Sequence, residues 1–206
     1  MRFFAHFFNL CAPIYDYTMK RMAILASGSG TNAERITQYF AERKTAEVAL
    51  IITNKEQAGV IQRAEQLNIP CLVVTANEFK EGKACQILLE QHIDFVVLAG
   101  FLLRVPDDIL RHFPNRIINI HPSLLPKFGG KGMYGHHVHE AVLASGETES
   151  GITIHYVSNV CDSGEIIFQA KTPVLDTDTP EDIATNIHNL EQRHFPKVIE
   201  QIIKEL

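Results

Sequence analysis

Apolar residues along this chain follow two rhythms. Four short runs, MAILAS from Met22, EVALIIT, CLVV and IDFVVLAG, are continuously apolar, as strands are when both of their faces are covered. Between them, TNAERITQYFAERK, QAGVIQRAEQL and FKEGKACQILLEQH carry apolar residues at helical spacing. Buried strands alternating with helices of about 10 to 15 residues predict a parallel sheet built from right-handed crossover units. In such sheets ligands sit beyond the carboxyl ends of the strands.

The texture changes after residue 100. RIINIHPSLLP reads as a strand closed by Pro122, KFGGKGMYG as a glycine-rich loop that is a candidate lid, and HVHEAVLASGE as a helix. ITIHYVS and EIIFQAKTPV are strand-like runs joined by the turn formers of NVCDSG. Thr179 caps a last helix with Pro180 at its first position and Glu181 and Asp182 in its first turn. Its apolar face carries Ile183, Ile187 and Leu190, and Pro196 is expected to kink or restart it. The fold expected is α/β: an open, mostly parallel, Rossmann-like sheet flanked by helices, with a C-terminal hairpin-like strand pair and a final helix. A single domain over residues 22–206 follows a non-core extension of residues 1–21.

Composition narrows the function classes. A chain of 206 residues, 46% hydrophobic, supports one core. A formal charge of -5 without any lysine or arginine run argues against a phosphate-gripping nucleic-acid binder. Cys11, Cys71, Cys85 and Cys161 lie far apart with no CxxC pair, which fits reduced thiols in a cytoplasmic protein. The aromatic-rich residues 1–18 lack the apolar centre and cleavage site of a secretory leader, and no run is long enough to cross a membrane. His136, His137 and His139 lack a zinc-binding spacing, so no metal is expected.

Two places carry candidate chemistry. Gly28, Ser29, Gly30, Thr31, Asn32 and Ala33 follow the first strand and open a helix, where backbone N–H groups and the helix dipole receive an anion. The second strand ends Ile52, Thr53, Asn54 without the acid that holds a dinucleotide ribose, and no Walker lysine follows, so a monophosphate is the expected occupant. The plain alternative is a tight turn with no ligand. Asn119 and His121, two apart on one strand, project to the same face at its end, among Ile117, Ile118 and Ile120. Polar groups there are either satisfied within the core or functional, and local pattern leaves both open.

NIHPSLLP, followed by a loop and then by the Asp of VSNVCDSGEII, resembles the active-site signature of the formyltransferase superfamily that uses 10-formyltetrahydrofolate. The likeness runs from about Met22 to the C-terminus, with AILASGSGTN as the phosphate loop and VVLAGF as the fourth core strand. It implies Asn119, His121 and Asp162 as catalytic residues, with His155 in support. It implies Gly30, Thr31, Asn32 and Glu191 as ribonucleotide contacts, and Leu102, Leu103, Arg104, Val105 and Asn119 as folate contacts.

The reaction implied is attack by the amine of glycinamide ribonucleotide on the formyl carbon of the folate co-substrate, as in purine (IMP) biosynthesis. Asn119 and a protonated His121 would donate to the tetrahedral oxyanion, each worth about 3 to 4 kcal/mol, with Asp162 favouring the imidazolium and relaying a proton. Ser123 and Cys161 show no partner arrangement that makes either a nucleophile. The partners expected are small molecules, with neither nucleic acid nor membrane, and the chain a monomer or homodimer. Departures from the family are Leu102, Leu103, Arg104 and Val105 where Met-Arg-Ile-Leu is frequent, a shortened segment near Phe79 to Lys83, and a longer glycine- and histidine-rich loop.

Three other readings use the same residues. A tRNA formyltransferase is expected to bring a further C-terminal domain and a basic surface, and a formyl hydrolase a separate N-terminal domain. A nucleotide-binding module has no need of Asn119, His121 and Asp162 together.

Overall fold

The computed structural model describes residues 19–206; the expectations for residues 1–18, Cys11 included, lie outside the described residues. Seven strands form one sheet in the order β3-β2-β1-β4-β5-β6-β7. The first five, β1 (Lys20–Leu25), β2 (Ala46–Thr53), β3 (Cys71–Val73), β4 (Phe95–Leu98) and β5 (Ile117–His121), are mutually parallel. β6 (Glu149–Tyr156) runs antiparallel to β5, and β7 (Ile166–Pro173) antiparallel to β6, giving the hairpin-like pair.

The continuously apolar strands are explained by two cores. In β1, Met22 and Ile24 pack on one face with Ile36 and Phe40 of α1 (Thr31–Arg43) and Ile199 of α7 (Pro180–Lys204). Ala23 and Leu25 pack on the other with Phe79, Leu88 and Ile109, from α3 (Ala76–Lys80), α4 (Lys83–Glu90) and α5 (Asp107–His112). β1 is flanked by β2 on one side and β4 on the other, so the crossovers diverge there and leave a crevice beyond its carboxyl end.

Four details differ from the sequence reading. β1 begins at Lys20, not Met22, because the Arg21 N–H donates to Asp94 Oδ2 at 2.9 Å and the Arg21 side chain pairs with Glu47; two residues of the expected extension thus belong to the sheet. FKEGKACQILLEQH is two helices, since Gly82 adopts φ 86 between them and Thr75 and Glu78 form a capping box on the first. α5 lacked a periodic apolar stripe long enough to read. α7 continues through Pro196: the Gln192 carbonyl, which proline leaves without its helical donor, lies 3.3 Å from Arg35 Nε and accepts from it. Glu200, also on α7, accepts from Tyr39 of α1 at 2.7 Å, tying the two helices together.

Candidate functional site

A cavity of about 940 Å³ opens beyond the carboxyl ends of β1, β4 and β5. Its walls come from the turn after β1, residues 98–105, the end of β5, the glycine-rich loop, the β6–β7 connection and α7. Asn119, His121, Asp162, Gly30, Thr31, Asn32, Glu191, Leu102, Leu103, Arg104 and Val105 all line it, so the fold gathers residues spread over most of the chain.

The antiparallel turn from β5 to β6 explains the centre of the site. Asn119 stands opposite His155 in the ladder, which puts both side chains on one face. His155 Nδ1 lies 2.9 Å from the Tyr156 carbonyl, which can only accept, so the proton sits on Nδ1 and Nε2 is a bare acceptor. Asn119 Nδ2 donates to that Nε2 at 3.1 Å. Burial lowers the pKa of His155, against the Tyr156 carbonyl and Asp162, which raise it, while His121 lowers it further; the ring is held neutral. The Asn119 amide is thereby fixed, with its second N–H and its carbonyl left for a ligand.

His121, only 4% exposed, donates from Nε2 to the Phe128 carbonyl at 2.8 Å. Its remaining nitrogen, Nδ1, lies 3.6 Å from Asp162 Oδ2. Asp162 adopts φ 54, a region Asp tolerates better than most residues, and accepts the Gly130 N–H at 2.9 Å. Its other oxygen lies 3.7 Å from His155 Nε2. Both separations exceed a hydrogen bond, so the carboxylate acts on the rings through its charge and Gly130 locks the glycine-rich loop to it. Since Nε2 is committed to Phe128, His121 can donate into the cavity only from Nδ1, which requires the doubly protonated ring. A neutral ring would offer Nδ1 as an acceptor.

The turn after β1 supplies a different chemistry. Gly30 at φ 80 is the N-cap of α1, and no side chain caps it, so the first-turn N–H groups face the cavity end unclaimed by a cap. Asn32 Nδ2 donates to Glu191 Oε2 and Gln192 Nε2 donates to Asn32 Oδ1, both at 2.8 Å. His188 Nδ1 lies 3.5 Å from Glu191 Oε2, and that carboxylate raises the pKa of His188. Glu191, which the family resemblance implies as a ribonucleotide contact, thereby ties α7 to the turn after β1.

Residues 102–105 form the apolar wall, with Leu102 45% exposed and Val105 buried. Arg104 pairs with Asp107 at 2.9 Å at the rim. Ser123 is fully buried and donates to the Lys127 carbonyl at 2.8 Å, a structural role. The thiol of Cys161 is pushed up by burial and by Asp162, which disfavours a thiolate. His136 and His137 pair with Glu140, whereas His139 is buried against the cavity with Nδ1 unpartnered. Among the described residues no group of three or more metal-ligating side chains occurs, and no helix is long and apolar enough to cross a membrane. Sequence reading did not find the Asn119–His155 bond, the Gly130 lock or the site position of His139. Only the ITIHYV histidine gave any signal.

A glycine-rich turn, an apolar wall and an Asn–His–Asp cluster thus meet in one cleft of a doubly wound sheet. Residues 20–199 match the family described as Formyl transferase, and the chain belongs to it. The phosphoribosylglycinamide formyltransferase of Bacillus subtilis (strain 168) is 38% identical over 192 residues, which cover 90% of this chain and 95% of that protein. The chloroplastic phosphoribosylglycinamide formyltransferase of Arabidopsis thaliana is 37% identical over 193 residues, 90% of this chain. This chain spans 66% of that protein's length and 62% of a second plant relative's. The crystal structure of phosphoribosylglycinamide formyltransferase from Bacillus halodurans superposes with a TM-score of 0.82 at 39% identity, over 89% of this chain and 95% of that one.

Proposed function

We propose that this protein transfers the formyl group of 10-formyltetrahydrofolate to the primary amine of glycinamide ribonucleotide, a step of purine (IMP) biosynthesis. The observation that carries the reading is that Asn119, His121 and Asp162 lie where the anion turn and the apolar wall open into the same cavity. The ribonucleotide phosphate sits on the turn of Gly30, Thr31 and Asn32, with Glu191 facing the sugar. The pterin lies along Leu102, Leu103, Arg104 and Val105, an apolar slot suited to a flat ring.

The substrate amine attacks the formyl carbon, forming a C–N bond while the carbonyl pair moves onto oxygen. Asn119, its amide oriented by His155, donates its free N–H to that oxyanion, and doubly protonated His121 donates from Nδ1. Preorganised donors of this kind contribute about 3 to 4 kcal/mol each. Collapse of the intermediate breaks the bond to folate N10, which takes the electron pair and a proton, while the former amine loses one. Asp162, whose Oδ2 lies 3.6 Å from His121 Nδ1, serves as counter-ion and relay. No group on the protein forms a covalent intermediate.

The test is an absorbance assay of tetrahydrofolate release with 10-formyltetrahydrofolate, with and without glycinamide ribonucleotide, for wild type and His121→Ala. Release that requires the ribonucleotide and drops at least a hundredfold in the variant is the expected result. Release without the ribonucleotide would point to a hydrolase, and no release from wild type would overturn the reading.

A further inference from the structure

The apolar wall is held in place by a side chain that does not line the cavity. Ser27, the residue between β1 and the anion turn, is 3% exposed. Its backbone N–H donates to the Gly100 carbonyl at 3.0 Å, and its hydroxyl accepts the Leu102 N–H at 2.9 Å. Two bonds from one residue therefore pin both ends of the three-residue turn that leads into the wall, and Gly100 enters that turn at φ 72.

The orientation of the hydroxyl is set from β2. Ser27 Oγ lies 2.5 Å from Asn54 Oδ1, at the short end of O–H···O separations and below those of N–H···O. The single hydroxyl proton thus goes to Asn54, which turns the lone pairs of Ser27 toward the Leu102 N–H. Asn54 occupies the place where a dinucleotide enzyme would carry its ribose acid, and here it is spent on architecture. Gly28 follows Ser27 directly, so the same residue anchors the start of the anion turn on one side and the apolar wall on the other.

We infer that Ser27, oriented by Asn54, is a positioning residue that sets the folate wall against the ribonucleotide turn, and so governs folate affinity without touching the ligand. This rests on the folate-dependent reading above. Without the hydroxyl, the Leu102 N–H loses its buried acceptor and the wall is free to move relative to β5, where the formyl carbon must meet Asn119.

The experiment measures the Kd for tetrahydrofolate by calorimetry on wild type, Ser27→Ala, Asn54→Leu and Asn54→Asp, with melting temperature in parallel and steady-state kinetics for both substrates. Ser27→Ala and Asn54→Leu are expected to weaken tetrahydrofolate about tenfold and raise the formyl-folate KM to match, as loss of one buried hydrogen bond implies. The ribonucleotide KM should move less than about twofold, and Asn54→Asp, which keeps an acceptor for the hydroxyl, should retain wild-type folate affinity. Unchanged folate Kd in Ser27→Ala, or equal weakening of both ligands with a lowered melting temperature, would overturn the inference. Because the Kd comparison needs no acceptor, wild type that binds tetrahydrofolate but does not formylate the ribonucleotide sinks the proposed function alone. Wild type that binds no folate sinks both.

Discussion

The chemistry of single residues here is decided by which of their atoms are already taken. His121 has given Nε2 to the Phe128 carbonyl, and His155 has given Nδ1 to Tyr156, so each ring presents one defined nitrogen to its neighbours. Among the described residues Asp162 is the one carboxylate paired with both, and its N–H partner Gly130 fixes where it points. Asp162→Asn preserves that shape and an acceptor for Gly130 while removing the charge. It is expected to lower kcat by about two to four orders of magnitude, with tetrahydrofolate Kd near wild type. A variant that kept its kcat would show that the charge beside His121 is not needed for the proton movements assigned to it.

At the scale of elements, the anion turn depends on how closely α2 (Gly59–Gln66) approaches it. Gly30 has φ 80, and a Cβ there would stand 2.5 Å from a Val60 side-chain carbon and 2.7 Å from the Val60 Cα. The backbone conformation and the contact both exclude a side chain, so the turn and α2 would have to separate. Gly30→Ala should therefore destabilise the fold by more than about 1 kcal/mol and raise the ribonucleotide KM further than the formyl-folate KM. Melting curves and kinetics on the same preparation check both, and a ribonucleotide KM that did not move would remove the turn from the phosphate site. The same end of the cleft is held by α7, which brings Glu191 to Asn32 and, beyond Pro196, Glu200 to Tyr39.

For the molecule as a whole, three buried or half-buried histidines predict how stability responds to acid. His139 and His155, mainly through burial, and His194, through burial and nearby Arg193 and Lys197, have pKa values lowered from the usual histidine value. Each binds its proton more readily in the unfolded chain, whose histidines titrate near about 6.5. Their contribution is thus fully present above about pH 6.5 and is lost as pH falls through the folded values. His188, raised by Glu191 and with 43% of its side chain exposed, works in the opposite sense. The melting temperature should drop between pH 7 and pH 5, and His139→Gln, which replaces a buried ring lacking a partner on Nδ1, should flatten that drop. An unchanged slope in the variant would place the acid sensitivity elsewhere.

Sequence alone determined the buried parallel strands, the glycine-rich turn after the first of them, the pairing of Asn119 with His121 on one strand face, and the N-terminal cap of the last helix. These are local matters of periodicity, of glycine and proline geometry, and of side chains that satisfy nearby backbone. The break at Gly82 and the short α5 escaped because a single glycine and a six-residue helix leave little periodic signal. Tertiary structure alone decided that β6 runs antiparallel beside β5, which sets His155 against Asn119, and that Asp162 swings its carboxylate between two imidazoles. It also decided that Ser27 reaches Leu102 and Asn54, and that Glu191 meets Asn32 beside the glycine-rich turn. Apart from Asp162 and His155, seven positions apart, those contacts join residues 27 to 159 positions apart, and their geometry follows from strand order and crossover direction, which no local pattern encodes.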